Sequence, residues 1–124
     1  MEALAKFSKS IATAFQGIVY VVRVERNARF HLIIAIITLV IAVLLGVSNA
    51  ELAAIFFAII MVFIAEVINT AIEKILDIVE PDHSEDVRII KDIAAGAVLV
   101  AAIGAAAIGL AIFIPYFTEM LWPR

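Results

Sequence analysis

The stretch Glu66–Asp77, EVINTAIEKILD, sets Glu66, Asn69, Glu73 and Asp77 at offsets of 0, 3, 7 and 11. At 3.6 residues per turn these four lie on one helix face, within roughly 80° of one another. Oxygen donors in this number suit Mg2+, which takes one or two carboxylates and fills its shell with phosphate oxygens and water. Lys91 and Asp92 follow in KDIAAGAVL, and a lysine beside such a group offers a point charge to phosphate. Glu25 heads a second polar set, ERNAR, earlier in the chain. A carboxylate partly withdrawn from water can take a proton from an alcohol. Metal ligands, a phosphate-binding cation and a base are the parts that phosphoryl transfer requires.

The elements that carry these residues are apolar. Of the 124 residues, 65% are hydrophobic and only 17% charged, and the mean hydropathy is +1.15. A chain this small leaves much of its surface exposed, so part of its solvent must be lipid. We expect a single all-α membrane domain over 1–124, with three transmembrane helices behind an N-terminal amphipathic surface helix. The surface helix covers 1–29, where Leu4, Phe7, Ile11, Phe15, Ile18 and Val22 recur at spacings of three and four. The helices spanning or entering the membrane are expected over 30–47, 52–77 and 93–117, the first long enough for a hydrocarbon core of about 30 Å. Fourteen residues separate the start of the second apolar run from Glu66, which places this acid inside the membrane or at its edge. Acids at that depth are costly and usually functional. Pro115, Tyr116 and Trp122 mark the far interface.

Basic residues orient the chain. Lys6, Lys9, Arg23, Arg26 and Arg29 precede the first span, and Lys74, Arg88 and Lys91 lie between the second and third. The positive-inside rule then puts the N-terminus and the acid-bearing connection in the cytoplasm and the C-terminus outside. Arg23, Arg26 and Arg29 read first as topology determinants and contacts to lipid phosphate. Ala97, Ala101, Ala105 and Gly109 form a small-residue stripe on the third span, the usual basis of helix association in lipid. It serves either packing within the chain or an oligomer, and we expect an oligomer.

Other chemistry is disfavoured. The chain has no cysteine for a disulfide or a thiolate-bound metal. It has no long basic run interleaved with aromatics, so a nucleic-acid partner is not expected. Neither GxxxxGK[ST] nor GxGxxG occurs, and the glycines at 17, 46, 96, 104 and 109 are scattered. His31 and His83 stand far apart and are read as ordinary interfacial or loop histidines.

ExxNTAIExxxD over Glu66–Asp77, followed by KDIAAGAVL, resembles the signature of the prokaryotic diacylglycerol kinase family of small three-span lipid kinases. The resemblance extends from the surface helix to the third span, and ERNARFH with KDIAAGAVL looks closer to its undecaprenol kinase branch. It implies that Glu66 is the general base and that Glu25 and Glu73 hold Mg2+ on the phosphates of ATP. It also implies that Asn69, Asp77, Lys91, Asp92 and Gly17 lie along the nucleotide. A homotrimer with shared active sites and a membrane lipid alcohol as substrate follow from the same likeness, with diacylglycerol as the alternative acceptor. Such an enzyme belongs in the cytoplasmic (inner) membrane. The loop EPDHSEDVRII is more acidic than that pattern suggests. Two other classes compete: a small proton-coupled exporter driven by one intramembrane carboxylate, and a non-catalytic scaffold or pore.

Overall fold

The computed structural model describes residues 1–81 and 84–122. His83, Asp82 in the acidic loop, and Arg124 lie outside the described residues. Among those described the chain is all α: α1 (Glu2–Val24), α2 (Arg26–Leu45), α3 (Asn49–Val79) and α4 (Glu85–Leu121). The last three are each long and apolar enough to cross a membrane. Exposed large hydrophobics cover their outer faces, from Phe30 and Ile33 on α2 to Leu99 and Ile103 on α4. A surface of that kind is suited to acyl chains, and in lipid every backbone polar group must be satisfied within the helix.

The core is a narrow seam rather than a ball. On α2 the buried residues are Ala28, Ala35 and Ala42, one every seventh position. Such small side chains bring two helix backbones close. Facing them, α3 buries Ile55, Ala58, Val62, Glu66 and Thr70 at steps of three and four. Glu66 is therefore buried because it continues the apolar stripe by which α3 packs. Helix α4 packs along α3 through Val87, Ala94 and Val98, and α1 lies against α2 and α3 with Val21 buried.

The turns follow from sequence. Gly46 ends α2 in the left-handed region (φ 66°, ψ 37°), where a side chain would be strained. Ser48 then opens α3 with a capping box: its hydroxyl accepts from the Glu51 N–H, and Glu51 returns a carboxylate oxygen to the Ser48 N–H. Ser84 caps α4 by accepting from the Val87 N–H at 3.4 Å.

The helices run past the apolar segments expected to bound them. The first membrane helix begins at Arg26 rather than 30, α3 continues to Val79, and α4 extends from Glu85 to Leu121 through Pro115. At 1.5 Å per residue α3 and α4 are about 46 and 55 Å long, well beyond a core of about 30 Å. Their polar ends therefore stand in the headgroup layer and in water. From Leu52 to Glu66 the rise is about 21 Å, less than the thickness of that core.

Candidate active site

Three elements meet around Glu66. Its side chain is only 3% exposed, and its backbone carbonyl accepts from the buried Thr70 hydroxyl at 2.9 Å. One turn on, the Asn69 amide donates to Glu73 Oε1 at 3.0 Å. Glu25 and Glu73 both lie within electrostatic reach of Glu66. The face predicted from spacing is thus real, and it is graded. Glu66 is buried, Asn69 and Glu73 are half-buried, and the Asp77 side chain is 42% exposed. The face climbs from lipid into water.

Glu25 owes its place to a break in the helix. It is both the last cap of α1 and the first cap of α2, in extended backbone (φ −91°, ψ 123°). Arg29 holds this corner: its guanidinium donates to the Arg23 carbonyl at 2.7 Å and to the Val22 carbonyl at 3.4 Å. These carbonyls end α1 and would otherwise lack partners. Arg29 thus has a structural task at this corner.

Lys91 crosses from α4 to α3 and pairs with Asp77 at 2.7 Å, its own side chain 25% exposed. This pair ties the two helix ends together at the water side of the face. Asp92, its neighbour, turns to Arg88, whose guanidinium bonds it at 3.0 Å and also grips Glu85. Part of the loop's acidity is thus neutralised within α4 itself. Gly17 sits apart on exposed α1, and a Cβ there would meet nothing within 4 Å in this chain.

One contact had no counterpart in the sequence reading. His31 of α2 is not an isolated interfacial histidine: its Nε2 lies 3.3 Å from Glu66 Oε1. The signal was available in the alanines, since His31 falls between Ala28 and Ala35, beside the seam that faces α3.

Two polar atoms are buried without a hydrogen-bond partner among the described residues, Glu66 Oε1 and Asn69 Oδ1. Buried acceptors left open in this way are uncommon, and a catalytic role or a bound ion is among the reasons a fold keeps them. They lie on the same helix as Glu73 and near Glu25, so the donor set is carboxylate and amide oxygen. That chemistry fits Mg2+. Among the described residues no group of three or more His, Cys, Asp or Glu stands close enough to hold a metal ion by itself. A magnesium site completed by substrate phosphates does not require one.

Two grooves flank the site. The larger, of about 1120 Å³, is apolar and bounded by all four helices; Phe15, Phe30, His31, Val62 and Phe113 are among its walls. The smaller, of about 400 Å³, lies between α3 and α4 and carries Asn69 with Ala94, Ala97 and Ala101.

The family model for prokaryotic diacylglycerol kinase matches residues 12–113. The undecaprenol kinase of Bacillus subtilis is 40% identical over 112 residues, 90% of this chain and 91% of that protein. A diacylglycerol kinase of Synechocystis sp. is 35% identical over 113 residues, 90% of this chain and 65% of that protein. The chain belongs to the prokaryotic diacylglycerol kinase family. It is a multi-pass membrane lipid kinase, with ATP as phosphate donor and a membrane lipid as acceptor. Membership displaces the exporter and the non-catalytic scaffold that composition alone left open.

Proposed function

We propose that this enzyme transfers the γ-phosphate of Mg·ATP to the hydroxyl of undecaprenol, with Glu66 as general base. The observation that carries the reading is Glu66 itself: buried on a membrane-length helix, with Oε1 making no hydrogen bond, and within electrostatic reach of two further carboxylates. The lipid enters sideways from the leaflet and presents its hydroxyl to Glu66, which takes the proton as the oxygen attacks the γ-phosphorus and ADP leaves. Glu25 and Glu73 hold Mg2+, which when bound offsets the charge of the phosphates. Asn69 orders Glu73 through their hydrogen bond. Lys91 contacts phosphate, Asp77 and Asp92 lie near the nucleotide, and Gly17 lets it approach α1.

The acceptor is assigned from the Bacillus relative, which is the more similar of the two and matches nearly end to end. Diacylglycerol is the second reading, favoured by the Synechocystis relative. The assembly is a homotrimer with each site shared between neighbours. In support, only 6% of the most apolar stretch of α4 is buried within the chain, against 22% for α3. Of the small-residue stripe, Ala97 and Ala101 line one open groove and Ala105 and Gly109 the other. The enzyme sits in the cytoplasmic membrane with the N-terminus and the site inside and the C-terminus outside, as the basic residues dictate.

The test is to offer undecaprenol and diacylglycerol side by side to the purified protein in detergent micelles with γ-labelled Mg·ATP. Faster labelling of undecaprenol is expected. Faster labelling of diacylglycerol would replace the acceptor, and labelling of neither would refute both acceptor assignments.

A further inference from the structure

We propose that His31 is the positioning residue of the base, orienting the Glu66 carboxylate toward the lipid hydroxyl from the wall of the apolar groove. The inference rests on the reading of Glu66 as the proton acceptor and adds a residue which that reading leaves without a task.

The geometry comes first. His31 Nε2 stands 3.3 Å from Glu66 Oε1, with the two side chains 23% and 3% exposed. The ring is not aligned for a hydrogen bond, and Oε1 has no other partner among the described residues. Catalytic contacts of this kind are often long or poorly aligned before substrate binds and tighten in the complex. A small rotation of the imidazole would complete this one.

The electrostatics select the same residue. The charged or titratable groups acting on Glu66 are His31 on α2, Glu25 at the α1–α2 corner and Glu73 on α3. Both glutamates repel a carboxylate at Glu66. His31 is the one N–H donor among the three.

The surroundings explain why orientation is needed at this point. His31 packs edge-on against Phe30, with ring centroids 6.0 Å apart and planes at 66°. Both rings line the large groove together with Phe15, Ile18 and Phe63. The imidazole thus stands between Glu66 and the apolar space from which a lipid chain would deliver its hydroxyl. A base held on one oxygen by a donor keeps the other free to face the alcohol, and a base oriented by a third group is a recurring arrangement in activated sites. His31 forms no bond to substrate in this scheme. The proton passes from the lipid hydroxyl to Glu66.

The experiment compares His31→Leu, which fills the space without a donor, with His31→Gln, which carries an N–H near the position of Nε2. Each is assayed for turnover with saturating lipid, KM for Mg·ATP, and binding of a non-hydrolysable Mg·ATP analogue. We expect His31→Leu to lose roughly 10- to 100-fold in kcat, the range for losing a residue that orients a reacting group. KM for Mg·ATP should stay within about twofold, because nucleotide binding is a uniform term that an orienting residue does not touch. His31→Gln should recover most of the lost kcat. Wild-type turnover in His31→Leu overturns the inference, as does equal loss in the Leu and Gln variants with analogue binding intact. If His31→Leu does not fold, His31→Gln is set against His31→Asn, whose amide is one bond too short; equal turnover in those two overturns it as well. A wild-type protein that labels no lipid would instead refute the Glu66 reading beneath it, so the two failures are distinct.

Discussion

Helix α3 carries one glutamate in its first turn and another near its middle, and the two live opposite lives. Glu51, in the first turn, is held by the fold. One of its oxygens accepts from the Ser48 N–H at 2.8 Å, the Ser48 hydroxyl at 2.7 Å and the Tyr116 hydroxyl of α4 at 2.7 Å. Glu66, four turns on, is far more buried and yet leaves an oxygen without a hydrogen bond. Unmade hydrogen bonds in the interior cost free energy, whereas capping interactions stabilise. The first acid is therefore explained by the fold it holds together, and the second is not. A buried acid that the fold leaves with only a long contact to His31 is the better candidate for chemistry with a substrate.

That contrast can be broken by mutation. The largest effect outside Glu66 should come from Glu73→Gln, which removes one carboxylate from the proposed metal site but keeps an acceptor for the Asn69 amide. We expect kcat/KM for Mg·ATP to fall by about 100-fold, with part of the loss recovered at high Mg2+, since one ligand of a weakly caged ion has gone. An unchanged Mg2+ dependence would remove Glu73 from the metal site.

Glu51→Ala should act on stability. It deletes the capping box and the tie to Tyr116 together, so Tm in detergent should drop by a few degrees, roughly 3 °C, while turnover per folded molecule stays within about twofold. A large loss of turnover with Tm unchanged would show that Glu51 and Glu66 do not divide their tasks as described. The smallest effect is expected at Gly17→Ala. Nothing in the chain needs a glycine at this exposed helical position, so the helix should gain about 0.5–1 kcal/mol. If nucleotide approaches there, KM for Mg·ATP should rise severalfold. A stabilised variant with unaltered KM would take Gly17 out of the site.

How much of this was legible before the structure differs from residue to residue. The polar face of α3 was readable because helical spacing is local: Glu66, Asn69, Glu73 and Asp77 align whatever surrounds them. The three apolar helices were readable from run length. Their ends were not, because Arg26–Arg29 and Glu85–Asp92 are polar yet still helical, and hydropathy reports the bilayer edge rather than the last hydrogen-bonded turn. The sequence suggested a helical surface segment running into the span, but could not show that Glu25 stands at a corner, since neither proline nor glycine marks the break. The Arg29 bonds to the Arg23 and Val22 carbonyls became evident only once the chain turned there. His31 was missed for a different reason. Its partner lies 35 positions away on another helix, and only the alanines at 28, 35 and 42 hinted at which face of α2 meets α3.

The central claim is that Glu66 takes the proton of a lipid hydroxyl. It is tested most directly by measuring phosphate transfer and equilibrium binding of a Mg·ATP analogue on the same preparations of the wild type and Glu66→Gln. The account predicts that the glutamine variant binds the analogue with near wild-type affinity and loses at least about a thousandfold in kcat, within the range for removing a general base. Turnover at the wild-type rate in Glu66→Gln would contradict it.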